Sequence, residues 1–114
     1  MGIGEKTTLR KELNKLGFDW KSGRILVQEV FENMWNAWSE PIGARWVDFD
    51  DPILDLEFGG GWRDEVQCPR FIAEDKEAIY FPAQYDGNTW VEKVYKDISK
   101  YLDWRNYESP YPGA

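Results

Sequence analysis

The sequence predicts a small α+β fold: a short antiparallel sheet of about three to four strands packed against an amphipathic C-terminal helix, with one or two N-terminal helices. Three features carry that expectation. Thr89 and Glu92 stand at capping-box spacing, followed by a broad apolar face at Trp90, Val91, Val94, Tyr95, Ile98, Tyr101 and Leu102. Two β-favouring runs, 70–73 and 78–81, flank the charged stretch Glu74-Asp75-Lys76-Glu77. Leu9, Leu13 and Leu16 recur at helical spacing near the start.

Taken in order, residues 1–6 read as frayed. Thr8 is a suitable N-cap for a short helix, and Gly17 suits the left-handed position just past its end. Residues 18–23 read as a turn closed by Ser22-Gly23. The next stretch has two readings. Val27, Val30, Phe31, Met34, Trp35 and Trp38 fit a helix over 27–38, whereas the β-branched start fits a strand over 24–30. Pro41 ends the segment in either case.

Residues 44–58 read as extended structure broken at Asp51-Pro52. Beyond the break, Leu54, Leu56 and Phe58 alternate with Asp55 and Glu57, which predicts a strand with one apolar and one acidic face. Gly59-Gly60-Gly61 breaks that strand, and 62–69 reads as loop. The hairpin of 70–73 and 78–81 is stopped by Pro82, and 85–88 is a turn. The capping box then opens the C-terminal helix over 90–103, and Pro110, Pro112 and Gly113 leave 105–114 irregular. A length of 114 residues fits one domain.

The chain has no histidine and one cysteine. Ser-His-Asp and Cys-His machinery are therefore excluded, as are the usual zinc shells. Cys68, next to Pro69, reads as a small buried filler. Gly59-Gly60-Gly61 is not followed by the Lys-Ser/Thr of a phosphate loop. No cofactor and no metal is expected. Lys6 stands where a myristoylation motif has Ser or Thr, and no apolar run resembles a signal peptide or a membrane span. A reducing, cytoplasmic setting is the expectation.

The net charge of −7 is uneven, with +3 over 1–24, −11 over 25–92 and +1 over 93–114. Such a balance disfavours nucleic acid, which needs Lys and Arg to displace phosphate counterions. It suits a protein partner with a basic surface. The N-terminal bases read as a solvated helix face that complements the acidic middle.

Seven Trp, six Tyr and six Phe are more rings than a small core hides, so some are expected at a contact surface. The leading reading is a non-enzymatic inhibitor or adaptor, with a general resemblance to small phage or mobile-element proteins. It would bind another protein through Trp46, Asp48, Asp50, Asp51, Asp55, Glu57 and Trp62: aromatic anchors within a charged rim. A second reading is a nucleotide- or sugar-like ligand stacked in a pocket of Trp35, Trp38, Tyr80 and Tyr85, with Arg45, Arg63 and Arg70 as polar handles. A third is a hydrolase built on the paired carboxylates of 48–57. A homo-oligomer is compatible with any of these.

Overall fold

The computed structural model describes residues 6–28, 43–59, 68–85 and 88–107. These form β1 (Lys6–Thr7), α1 (Leu9–Lys15), β2 (Arg24–Gln28), β3 (Ala44–Val47), β4 (Phe58–Gly59), β5 (Phe71–Glu74), β6 (Ala78–Tyr85) and β7 (Asn88–Tyr95). Short 3₁₀ turns occupy Pro52–Asp55, Ile98–Leu102 and Trp104–Tyr107. A five-stranded antiparallel sheet runs in the order β3-β2-β5-β6-β7, and β1 pairs with β4 in a separate two-stranded ribbon.

This corrects the expected architecture. Among the described residues the fold is mostly sheet with one seven-residue helix, and no amphipathic C-terminal helix covers it. The segment expected as helix over 90–103 is strand β7 followed by 3₁₀ turns. Thr89, Trp90, Val91, Val94 and Tyr95 are β-branched or aromatic, and the strand aligns with β6 from Ala78–Tyr95 to Tyr85–Asn88. Tertiary pairing overrides the capping-box spacing of Thr89 and Glu92.

Other departures follow the same logic. Residues 24–28 are strand, in line with the alternative reading; 29–42, which held most of the expected 27–38 helix, lie outside the described residues. The expected strand over 54–58 is a 3₁₀ turn plus a two-residue strand. Asp51 caps the turn by accepting from the Ile53 N–H, and Pro52 occupies its first position, where no N–H is needed. Lys6, expected frayed, pairs with Gly59.

Pro82 does not stop β6. The Tyr95 N–H leaves the ladder to donate to the Tyr101 hydroxyl, so Ala78–Tyr95 is a non-hydrogen-bonded pair. Antiparallel pairs alternate, which puts Pro82–Val91 in the same class. The missing N–H of Pro82 therefore faces β5 rather than β7. The recorded β5–β6 pairing is confined to Ala73–Tyr80 and Glu74–Ile79, just short of it.

The N-terminal helix forms as the sequence predicts. The Thr8 side chain accepts from the Lys11 N–H, and Gly17 takes φ +84° beyond the C-cap. Leu9 and Leu13 are fully buried. They pack with Ile25, Val27, Phe71, Ala73, Ala78, Tyr80 and Val91 from one face of the sheet, and with Phe18, Leu54 and Phe58 from the connections. This inner face holds the core. No helix among the described residues is long and apolar enough to cross a membrane.

Candidate functional site

Strand alternation sends every second residue to the outer face, away from α1. The registers align Trp46 with Leu26 and Leu26 with Ile72, then Glu74 with Ile79 and Ile79 with Val94. Trp46 is 57% exposed, Ile72 49% and Val94 42%. They stand on alternate strands with half-buried Leu26 and Ile79 between, so an apolar stretch crosses the outer face of the sheet.

Charges organise this patch. The Arg24 guanidinium lies 4.7 Å from the centroid of the Trp46 ring while its Nε donates to Glu74 at 2.7 Å. Lys96 reaches the other oxygen of Glu74 at 3.2 Å. Arg24 first and Lys96 second hold the Glu74 carboxyl below its ordinary value. Arg24, Trp46, Ile72, Ala73, Glu74 and Ile79 line a shallow groove of about 190 Å³. Pockets that enclose drug-sized ligands run to roughly 300–1,000 Å³, so the groove suits an inserted side chain better than a whole small molecule.

The acidic run has a different fate from the one its spacing implied. Asp55 is not on a strand face with Glu57; it takes a bidentate contact from Arg10, at 2.8 and 3.1 Å. The same guanidinium donates to the Phe49 carbonyl and lies over the Trp20 and Phe49 rings. Asp51 accepts from Arg45 and from the Ile53 N–H. The Arg10 bond holds Asp55 below the usual carboxylate range, and the Arg45 bond does the same for Asp51. Asp55 thereby ties its turn to α1, and Asp51 ties the same turn to β3. Asp48, Asp50 and Glu57 remain exposed. Among the described residues no group of His, Cys, Asp or Glu is arranged to hold a metal ion.

The residues expected to line a ligand pocket do not converge where they are described. Tyr80 is fully buried on the inner face, its hydroxyl donating to Asp75 at 2.9 Å. Arg45 holds Asp51, and Arg70 is exposed at the start of β5. Tyr85 ends β6 beside the β6–β7 connection. Trp35, Trp38, Trp62 and Arg63 lie outside the described residues.

Of the expected contact residues that are described, only Trp46 lines the groove; Asp48 follows β3 two positions later. Arg24, Ile72, Glu74, Ile79 and Val94 were not singled out by the sequence. Along 71–74 and 88–95 apolar residues fall on both faces, so no simple period-two signal marks the outer one. Comparison with known protein families, with curated protein sequences and with solved structures finds no match for this chain.

Proposed function

We propose that this protein acts by binding another protein, as an inhibitor or adaptor, through the outer face of the five-stranded sheet. One observation carries the reading. The inner face holds the buried core, while the outer face leaves Trp46, Ile72 and Val94 open around a groove edged by Arg24, Glu74 and Lys96. An aromatic anchor at the centre with charges at the rim is the usual anatomy of a protein contact. The exposed carboxylates of Asp48 and Asp50 beyond β3 favour a partner with basic groups beside its apolar patch. No catalytic step is assigned, because the carboxylates of Asp51, Asp55 and Glu74 are held by arginine or lysine.

A photo-crosslinking amino acid placed at position 72 tests this in a lysate of the source cells. The expected result is one discrete heavier adduct, abolished by Trp46→Ala and absent when the crosslinker sits at the exposed Lys11 position of α1. Equal adducts from both positions, or an adduct indifferent to Trp46→Ala, would overturn the proposal.

A further inference from the structure

We infer that the groove receives an extended segment of the partner that carries an apolar side chain and, two positions away, an aspartate or glutamate bound by Arg24. The inference rests on the outer-face reading and names the chemistry that this face selects.

Two rows of side chains cross the outer face at the groove. The registers align Trp46, Leu26 and Ile72 in one row, and Arg24, Glu74 and Ile79 in the next. The rows are two residues apart along β2 and β5, which is about 7 Å at the rise of an antiparallel strand. The first row is apolar throughout, and the second begins with a cation. Trp46 and Ile72 from the first line the groove together with Arg24, Glu74 and Ile79 from the second, so one occupant meets both rows. An extended segment presents its side chains i and i+2 on one side at the same spacing.

The charge in the second row decides what the occupant carries there. Each oxygen of Glu74 is already engaged, one by Arg24 Nε at 2.7 Å and the other by Lys96 at 3.2 Å. Two cations share one carboxylate, so the cluster keeps a net positive charge. Among the described residues Glu74 is the one ion-pair partner of Arg24, and the two terminal nitrogens of its guanidinium hold no hydrogen bond. The Nε bond and the Trp46 ring, 4.7 Å away, fix the guanidinium in place. A fixed fork with its outer nitrogens open matches a carboxylate in charge and in shape. Because the same guanidinium lies over Trp46, that carboxylate stands beside the apolar anchor.

A basic side chain in this position would meet like charge, with the Glu74 oxygens already engaged. A nucleic acid is disfavoured as well, since one net positive charge stands against −7 over the whole chain. Asp48 and Asp50 follow β3 and, among the described residues, make no ion pair with Arg24. The basic groups that they favour therefore belong elsewhere on the partner.

Selection of phage-displayed random peptides on the full chain, followed by calorimetry with the synthetic winners, tests this. The expected winners share an apolar residue with Asp or Glu two positions away, and bind about tenfold more weakly when that acid is made its amide. Arg24→Gln should bring the acidic peptide down to the affinity of the amide and leave the amide unchanged. The Arg24 side chain is 62% exposed and Lys96 still holds Glu74 in this variant, so the fold is expected to survive. Arg24→Lys should recover only part of the loss, because an ammonium offers no fork. Equal losses for both peptides in Arg24→Gln would overturn the inference. Trp46→Ala separates it from the reading beneath it. Winners that need Trp46 but no acid overturn the inference and leave the outer-face reading standing; winners indifferent to Trp46, or a library that yields none, overturn both.

Discussion

Replacing Asp75 by alanine removes the acceptor on which the β5–β6 hairpin is built. One carboxylate oxygen accepts from the Glu77 and Ala78 N–H groups, both at 2.9 Å. The other accepts from the Asp19 N–H at 3.0 Å and the Tyr80 hydroxyl at 2.9 Å. Asp75 thereby joins the hairpin to the turn after α1. Asp19 and Glu77 are exposed, so water can satisfy their amides in the variant. The Ala78 amide and the Tyr80 hydroxyl belong to residues with no exposed surface. Each buried donor left unpaired costs about 1–3 kcal/mol, so the variant should lose roughly 4 kcal/mol. That is a large share of the ~5–15 kcal/mol that holds a domain together.

Urea unfolding followed by tryptophan fluorescence measures the loss. Asp75→Asn should cost less, because one oxygen still serves the Glu77 and Ala78 amides. Tyr80→Phe should cost about 1 kcal/mol, and combined with Asp75→Ala it should cost less than the two single losses added. Acid adds a second readout. Burial pushes the Asp75 carboxyl up, but its bonds from Asp19, Glu77, Tyr80 and Ala78 outweigh this and leave it below its ordinary value. A lowered folded pKa means the contribution is complete above the unfolded value, ~3.9, and is lost as pH falls through the folded one. The acid limb should therefore be shallower in Asp75→Asn. A loss below about 1 kcal/mol in Asp75→Ala, or strict additivity with Tyr80→Phe, would refute this account.

Gly23→Ala would place its Cβ 2.2 Å from the Phe18 ring and 2.5 Å from the Asp19 carbonyl; a destabilisation of about 1–3 kcal/mol in urea is expected from such overpacking. Arg10→Lys should lose most of what Arg10→Ala loses, about 1 kcal/mol, because an ammonium cannot hold Asp55 bidentately, bond the Phe49 carbonyl and stack on two rings at once. Burial first, and the Glu12 charge second, push the Cys68 thiol well above its ordinary value. Native protein should therefore alkylate at least about tenfold more slowly than the urea-unfolded chain, measured by iodoacetamide labelling and mass.

Local signals that agreed with tertiary demands were legible in the sequence. Thr8, the Leu9–Leu13 stripe and Gly17 each specify the same helix, and the charged stretch 74–77 marks a turn between two apolar runs, although Glu74 itself ends β5. Legibility failed where one sequence satisfies two periods. Residues 89–95 place apolar groups at both helical and alternate spacing, since Val91 and Tyr95 face the core while Trp90 and Val94 lie on the opposite face. A strand apolar on both sides resembles one broad helical face. Asp86-Gly87 between two β-favouring runs was the deciding cue, because two residues of that type join hairpin strands. The acidic run misled for another reason: spacing says nothing about Arg10 and Arg45, which approach Asp55 and Asp51 only in the folded chain.

The distribution of charge separates the rate of the proposed association from its lifetime. At the groove Arg24 and Lys96 share the single carboxylate of Glu74, which leaves one excess positive charge at its rim. The uncompensated acids lie beyond β3, at Asp48 and Asp50. Screened charges outside a contact steer encounter, whereas desolvated rings inside it govern escape. Reversing Asp48 and Asp50 to lysine should then slow association with a basic partner at low salt and leave dissociation nearly unchanged. Trp46→Ala should do the opposite, speeding dissociation with little effect on association or its salt dependence. If both variants altered the same rate constant, contact would be organised around the acidic turn itself, and the groove would lose its place at the centre.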